Sequence, residues 1–272
     1  MAPTGARDGP ATNAAVASAL LTAAGARSWR RRWDRQQSRL LPRREERFAV
    51  MLEALRAGAG PRFRFLDLGA GTGSLSERIL ARFPRARGIA VDFDPVILRI
   101  GRIGLGDRGG RLRWVEADLR RRDWAKGLPA RRYDAAVSST ALHWLTGPQL
   151  THLYAELHRR LRPSGLFLDA DGIAFAPEHT TLRRTAHESA RGERRGSPRR
   201  AGESWEAWWL AVERDPRFAR EIALRRQRFP HAHSATPTPD LAGHVRRLRA
   251  AGFREVEVIW SRWQDRVLAA VR

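Results

Sequence analysis

The 272-residue sequence contains no cysteine and a single lysine, Lys126. The absence of cysteine excludes disulfides, thiolate metal sites, iron–sulfur clusters and a cysteine nucleophile. No apolar run approaches the roughly 20 residues that a membrane-spanning helix needs, so we expect no membrane association. The first residues combine neither a basic start nor a clean apolar segment. We therefore expect no export signal and a cytoplasmic location.

The formal net charge is +22, and nearly all of the positive charge is carried by arginine. Such an excess is typical of proteins that bind polyanions, including nucleic acids. The arginines are scattered along the whole chain, which favours a solvated basic surface over a dedicated nucleic-acid site. His231 and His233 lie in a proline-rich segment without a partner cluster, so we expect no metal site.

Residues 63–76, FRFLDLGAGTGSLS, form the stretch around which the chain is organised. The apolar run up to Leu68 predicts a buried strand, and the helical spacing of the later apolar residues predicts a helix from about Ser74. Gly69, Gly71 and Gly73 lie between them. A strand, a glycine turn and a helix bring the backbone close to a ligand and present free N–H groups to it. A tight turn with glycines for packing alone is the alternative.

The spacing of the glycines indicates the kind of ligand. A dinucleotide-binding turn has the spacing G-x-G-x-x-G, whereas this turn has G-x-G-x-G, and Asp67 precedes it. A carboxylate at this place would repel a pyrophosphate but suits an ammonium or sulfonium group. The stretch resembles motif I of the class I S-adenosylmethionine-dependent methyltransferases. The resemblance implies S-adenosylmethionine as cofactor, with its methionine part held by Asp67, Gly69, Ala70, Gly71 and Gly73.

Two further predicted strands end on an acidic residue. Asp92 lies 21 residues after Gly71, a spacing at which a carboxylate can accept hydrogen bonds from both ribose hydroxyls. The alternative is a solvent-facing residue at a strand end. The family resemblance places Asp92 on the ribose and Phe93 beside the adenine. It also implies that Asp118 binds the adenine amino group and that the backbone N–H of Leu119 contacts a ring nitrogen.

The fourth predicted strand, residues 133–139, continues into the segment 141–145, ALHWL. This turn resembles that of the small-molecule branch of the family, such as the trans-aconitate and biotin-pathway carboxyl methyltransferases. The Asn-Pro-Pro-Tyr motif of adenine and glutamine N-methyltransferases is missing. Ser138 is expected beside the cofactor. His143 is a candidate general base because imidazole titrates near neutral pH; orienting the cofactor or capping a helix are alternatives.

Strands and helices alternate five times between about residues 63 and 172, and a hairpin closes the chain. This pattern predicts an α/β fold with a doubly wound seven-stranded sheet, the Rossmann-like methyltransferase fold, whose last strand is antiparallel. We expect a disordered or loosely helical tail over 1–27 and a methyltransferase domain over 28–272. Its expected parts are a helical lid over 28–58 with Ser28 as N-cap, a cofactor-binding core over 62–172, a helical insert over 174–238 with a basic loop at 191–202, and a closing helix and hairpin over 239–272.

Trp205, Trp208 and Trp209 stand at positions i, i+3 and i+4 of the helix predicted within the insert, on one face. Core packing accounts for such a face, and a lid over a flat or apolar substrate is the alternative. Together with Trp33 and Trp144, these residues are candidates for the acceptor pocket.

The sequence thus predicts an S-adenosylmethionine-dependent methyltransferase acting on an oxygen or nitrogen atom of a small molecule. An RNA- or protein-directed methyltransferase that uses the basic surface is one alternative. A cofactor-binding protein without catalysis is the other. The lack of cysteine argues against methyl transfer to C5 of a pyrimidine, which normally needs a covalent cysteine adduct, and excludes radical use of the cofactor.

Overall fold

The computed structural model describes residues 20–129, 132–196, 202–229 and 239–272. Its central feature is a single seven-stranded sheet. The strands are β1 (Arg64–Leu68), β2 (Arg87–Asp92), β3 (Leu112–Glu116), β4 (Tyr133–Ser139), β5 (Leu161–Gly172), β6 (Glu255–Arg262) and β7 (Asp265–Val271).

The strand order is β3-β2-β1-β4-β5-β7-β6. Neighbouring strands from β3 to β5 pair in parallel, whereas β7 is antiparallel to both β5 and β6. The order reverses direction between β1 and β4. The carboxyl ends of these two strands therefore border the crevice in which open α/β sheets bind ligands.

The helices that the structure describes cover both faces of the sheet. They are α1 (Ala23–Leu40), α2 (Arg44–Gly58), α3 (Ser74–Arg82), α4 (Pro95–Gly104), α5 (Gly147–Arg160), α6 (Thr180–Gly196), α7 (Trp205–Arg214), α8 (Ala219–Arg228) and α9 (Leu241–Ala250). Among them, none combines the length and the apolar character needed to cross a membrane.

The interior is divided into three apolar clusters. One face of the sheet packs against α5 and α9, and the other packs against α2 and α3. The third cluster joins α1, α4 and α7, with Trp29 in edge contact with both Trp208 and Phe218 at centroid distances of 5.6 Å. The N-terminal helix and the insert thus form one layer beside the carboxyl ends of β1 and β2.

The predicted seven-stranded, doubly wound sheet with an antiparallel last strand and a helical insert is confirmed. Two local predictions are wrong. The first helix is capped by Thr22, whose hydroxyl accepts the N–H of Gly25 at 3.1 Å, and Ser28 lies inside the helix because burial of Ala26 and Trp29 extends it towards the N-terminus.

The second correction concerns residues 191–202, for which a basic loop was expected. Helix α6 continues to Gly196, because the arginine, glutamate and alanine residues favour a helix strongly enough to accommodate Gly192. Residues 197–201 lie outside the described part of the chain, as do residues 1–19 of the predicted tail and the segment that contains His231 and His233.

Candidate functional site

The glycine turn joins β1 to α3 at the crevice. Gly69 and Gly71 have φ angles of 66° and 59°, which favour glycine over residues with a side chain. A Cβ on Gly69 would lie 2.3 Å from the Cβ of Ala141, so the turn touches the segment that follows β4. A Cβ on Gly71 would meet nothing closer than 3.9 Å. Such a Cβ would make ordinary van der Waals contact with Ile97 and Trp33, and the backbone of Gly71 lines the neighbouring cavity.

Beside the turn lies an open cavity with a volume of about 70 Å³. We call it the turn cavity. It contains the predicted cofactor residues Asp67, Gly69, Ala70 and Gly71 and the predicted lid residue Trp33. Its remaining lining residues are Gln37, Arg44, Phe48, Ser74, Leu75, Ser139 and Thr140.

Asp67 is buried at the floor of the turn cavity. Its Oδ2 accepts the hydroxyl of Ser76 at 2.6 Å and the backbone N–H of Ser76 at 3.1 Å. Burial raises the pKa of Asp67 from 3.8 to about 7, although the Ser76 hydrogen bonds oppose this rise. A cationic ligand placed in the cavity would favour the charged carboxylate.

Asp92 ends β2 beside the same turn. Its Oδ2 accepts the N–H of Gly71 at 2.8 Å, and its Oδ1 accepts the N–H groups of Phe93 at 2.7 Å and Asp94 at 3.0 Å. Burial raises the pKa of Asp92 to about 6. Each carboxylate oxygen has two lone-pair sites, so Asp92 can fix the turn and still accept one hydrogen bond from a ligand through Oδ2.

Asp118 is bound by its own neighbour. The Nε and Nη2 atoms of Arg120 each lie 2.8 Å from an oxygen of Asp118. The Arg120 guanidinium also lies over the rings of Phe93 and Phe229, at 5.4 and 5.5 Å from their centroids. Leu119 is half-buried and packs against the core. The structure thus brings Phe93 and Asp118 to one edge of the crevice, with Arg120 between them.

The end of helix α8 covers this edge. Phe229, the residue after α8, packs its ring against Phe93 at 5.8 Å between centroids. Arg225 donates to Asp94 at 2.6 Å, and Arg228 donates to the carbonyl oxygen of Phe93 at 2.7 Å and forms an ion pair with Glu116. The insert therefore contacts the carboxyl ends of β2 and β3 directly.

His143 follows β4 and is paired with Asp171 of β5. The Nδ1 atom of His143 lies 2.9 and 3.1 Å from the two oxygens of Asp171, and its backbone N–H donates to Asp171 at 3.1 Å. Burial would raise the pKa of Asp171, but the hydrogen bonds and charge of His143 outweigh it and lower that pKa. Asp171 is therefore a carboxylate, Nδ1 carries the hydrogen, and Nε2 is the atom that can accept a proton.

The remaining predicted residues occupy different places. Ser138 is fully buried, and its hydroxyl donates to the carbonyl of Leu68 at 3.0 Å, so it joins the ends of β1 and β4. Gly73 precedes the first residue of α3. Trp144 is 45% exposed and packs against His143 at 4.6 Å between ring centroids.

The tryptophans of the insert are divided between core and cavity wall. Trp208 is fully buried in the cluster between α1, α4 and α7. Trp205 packs against Trp33 at 5.4 Å between centroids and thereby supports the wall of the turn cavity. Trp209 packs against Trp208, and the guanidinium of Arg225 lies 3.8 Å from its ring centroid.

Comparison with known proteins identifies the fold and a methyltransferase domain within the chain. Residues 65–165 match the family model described as a methyltransferase domain. A trans-aconitate 2-methyltransferase of Azoarcus sp. (strain BH72) is 33% identical over 121 residues, which are 44% of this chain and 44% of the relative. A malonyl-[acyl-carrier protein] O-methyltransferase of Geobacter sulfurreducens is 38% identical over 136 residues, 48% of this chain and 47% of the relative.

Residues 65–165 thus form a methyltransferase domain, and the curated relatives that share this region are methyltransferases. The chain spans about half the length of the curated relatives it matches. The structure of an O-methyltransferase family protein from Burkholderia thailandensis superposes with a TM-score of 0.52 at 17% identity, covering 82% of this chain and 55% of that chain. That likeness shows the shared fold.

The residues that line the turn cavity suit S-adenosylmethionine, the cofactor of the class I methyltransferases. Gly71 lines the cavity without a side chain, and Asp67 offers a buried carboxyl group to a cationic ligand. The individual contacts predicted for Asp67, Asp92, Phe93, Asp118, Leu119 and Ser138 stay predictions.

The structure adds three residues that the sequence analysis missed. Asp171 supports His143, and Arg44 presents its guanidinium to the turn cavity while Nη1 donates to Asp34 at 3.0 Å. Arg47 is fully buried between α2 and the ends of β5 and β7. The alternation of Asp169 and Asp171 along β5 was a usable signal for Asp171, because both face one side of the sheet. Arg44 and Arg47 gave no such signal, because they lie among other arginines in the sequence.

Proposed function

We propose that this chain is an enzyme that transfers the methyl group of S-adenosylmethionine to an oxygen or nitrogen atom of a small molecule. The match of residues 65–165 to a methyltransferase domain supports the reaction type. The pair formed by His143 and Asp171 carries the assignment of catalysis, because it lies on the segment that touches the glycine turn through Ala141. A proton acceptor beside a cofactor cavity is what a transfer to a hydroxyl or an amine requires.

The roles of the residues follow from this placement. The cofactor supplies a methyl group on a sulfonium sulfur, which keeps the electron pair of the broken carbon–sulfur bond. Asp67 and the glycine turn bind the amino-acid end, and Asp92 binds the ribose. His143 Nε2 accepts the proton that a hydroxyl or amine acceptor loses, and Asp171 stabilises the resulting imidazolium.

Two observations support a small acceptor. The name of the Azoarcus relative describes transfer to trans-aconitate, and that of the Geobacter relative describes transfer to malonyl-[acyl-carrier protein], a malonyl group carried on a protein. In addition, many arginines beside the site are paired with carboxylates of the chain, as Arg225 is with Asp94 and Arg228 with Glu116. These arginines hold the insert on the sheet, which accounts for part of the basic composition without a nucleic-acid partner.

The experiment combines binding and transfer. S-adenosylhomocysteine binding is measured by calorimetry, and transfer of a labelled methyl group is screened over small organic acids, phenols and amines, with RNA as a further acceptor. For a hydroxyl or amine acceptor we expect His143→Gln to lower transfer by about 10²–10⁴-fold with cofactor affinity unchanged. His179→Gln, on an exposed residue at the start of the insert, is the control. Failure to bind the cofactor, or transfer to RNA alone, would overturn the proposal.

A further inference from the structure

A second cavity lies at the edge of the sheet where the parallel strands begin, opposite the edge that carries the glycine turn. Its volume is about 170 Å³, whereas roughly 10–15 Å³ is enough for one water molecule, so the cavity admits a molecule of several atoms. We call it the edge cavity. Four of its lining residues are arginines, and none of the described residues that line it is acidic. The four are Arg64, Arg87, Arg111 and Arg113.

The arginines of the edge cavity are brought together by the register of three neighbouring strands. Arg64 and Arg87 begin β1 and β2 and are directly aligned. Arg111 precedes β3, and its carbonyl oxygen accepts the N–H of Gly88 at 2.8 Å. Arg64, Arg87 and Arg113 each lie two residues before a member of the apolar cluster that packs against α5 and α9. Because side chains alternate along a strand, these three arginines face the same side of the sheet.

The positive charges of these arginines are not neutralised by the protein. Within the described part of the chain, none of the four guanidiniums lies within 4.0 Å of a carboxylate. Arg87 donates through Nη2 to the carbonyl of Gly110 at 2.9 Å, and Arg111 donates through Nη1 to the carbonyl of Leu80 at 3.0 Å. These contacts orient two guanidiniums but leave their charges uncompensated.

Two carboxylates near the same edge are used elsewhere. Asp134 accepts the backbone N–H of Arg64 at 2.7 Å and forms an ion pair with Arg162 at 2.6 Å. Asp107, in the turn before β3, accepts the N–H of Gly109 at 3.1 Å. Both acids lie outside the lining of the edge cavity. Like charges on neighbouring strands repel each other, and an anion placed between the guanidiniums would relieve this repulsion.

The number and spacing of the guanidiniums indicate the kind of anion. A guanidinium offers five N–H donors in a planar fork that matches phosphate oxygens. A single phosphate group carries roughly two negative charges near neutral pH, fewer than the four positive charges of the cavity. Strands β1 and β3 are separated by two strand spacings, about 10 Å. Linked phosphate groups supply both more charge and the length to contact arginines from all three strands.

We propose that the edge cavity is a second ligand site, which binds an anion that carries two or more linked phosphate groups. About 13 Å of strand β1 separates Arg64 at this site from Leu68 at the glycine turn. The site therefore lies apart from the turn cavity and from His143. The inference goes beyond the proposed methyl transfer and does not depend on it.

The test titrates sodium tripolyphosphate into the whole chain by calorimetry at about 0.15 M ionic strength, where long-range attraction is screened. Sodium phosphate and sodium citrate are the comparison anions. Phosphate carries less charge, and the branched carboxylates of citrate reach fewer of the arginines. We expect tripolyphosphate to bind about 10-fold or more tightly than either. No binding of tripolyphosphate, or binding no tighter than that of citrate, would overturn the inference.

A double variant locates the binding. Arg64→Gln with Arg87→Gln removes two exposed guanidiniums from the lining and should weaken tripolyphosphate binding by about 10-fold or more. The control, Arg220→Gln with Arg246→Gln, removes the same charge from exposed positions on α8 and α9 outside the lining and should change the affinity by less than about twofold. Equal losses in the two double variants would show attraction by net charge alone and refute the site. Unchanged melting temperatures without ligand show that both variants fold.

Two further titrations identify the source of the phosphate groups. Guanosine triphosphate that binds more tightly than tripolyphosphate, with the same loss in the Arg64/Arg87 variant, supports a nucleotide whose nucleoside contacts Ile89 and Pro129 of the lining. Equal or weaker binding supports a free polyphosphate. A single-stranded RNA that binds more tightly than tripolyphosphate and loses its affinity in the same variant would assign the edge to a nucleic-acid backbone and overturn the inference.

Discussion

Replacing Asp67 by asparagine is expected to stabilise the protein while weakening its cofactor site. The carboxyl is 1% exposed, and its pKa rises from 3.8 to about 7 on burial. A carboxyl group whose pKa is higher in the folded than in the unfolded state lowers the stability of the fold when it is ionised. The difference between these pKa values corresponds to ~4 kcal/mol at a pH above 7.

We expect Asp67→Asn to raise the free energy of unfolding by less than this upper value. The amide oxygen can still accept the two hydrogen bonds from Ser76, but an ionised acceptor binds them more strongly, and losing that advantage costs about 1–2 kcal/mol. The net increase in the free energy of unfolding at pH 8 is then about 2 kcal/mol, which raises the melting temperature by roughly 4–8 °C in a chain of this size. The gain should decrease as the pH falls from 7 towards 4, because the folded protein then carries a protonated Asp67.

The assay is thermal and urea unfolding of both proteins at pH 8 and pH 5, with S-adenosylhomocysteine titrations at pH 8. Asp123→Asn removes the same charge from an exposed loop and serves as the control. The reasoning is refuted if Asp67→Asn gives the same change in unfolding free energy at both pH values, or if it destabilises the protein at pH 8. Undiminished cofactor affinity in this variant would remove Asp67 from the binding site.

Three further predictions concern the same cavity. Asp92→Ala should weaken S-adenosylhomocysteine binding at least 10-fold by calorimetry, since it removes the predicted ribose acceptor; unchanged affinity would contradict that role. Gly69→Ala should lower the free energy of unfolding by about 2–4 kcal/mol, because its Cβ would lie 2.3 Å from Ala141. Gly60 has a φ of 74° and open space around it, so Gly60→Ala should lower the free energy of unfolding by less. Equal decreases in the two variants would refute the close approach of Gly69 to Ala141. Arg44→Met should weaken S-adenosylhomocysteine binding at least 10-fold and leave 5′-methylthioadenosine binding unchanged, because 5′-methylthioadenosine lacks the carboxylate. Equal losses of affinity for the two ligands would show that Arg44 only supports the fold.

The sequence alone was sufficient to predict the features that depend on a local pattern of residues. The strand, glycine turn and helix around Asp67 run without interruption from Arg64 to Arg82, so their periodicity and spacing are visible without the structure. Asp171 lies 28 residues after His143 and belongs to the neighbouring strand. Their pairing depends on the parallel alignment of β4 with β5, which a single sequence does not display.

The helix boundaries that were wrong show the same division between local and tertiary effects. Thr22 and Ser28 are both good N-cap residues, and local propensity does not choose between them. The choice is made by Trp29, which packs on Trp208 and Phe218 far along the chain. A helix that began at Ser28 would lose the turn that carries Ala26, which is fully buried in the same cluster.

The arginine content has a structural role that connects the insert to the cofactor site. Asp94 caps helix α4 through the N–H groups of Val96 and Ile97, and the same carboxylate accepts Arg225 from α8 at 2.6 Å. Its neighbour Asp92 binds the glycine turn. A movement of α8 therefore acts on the loop that carries the predicted ribose ligand within two residues. Ion pairs that are partly exposed are weakened by salt. We therefore expect the packing of the insert against the carboxyl ends of β2 and β3 to depend on ionic strength.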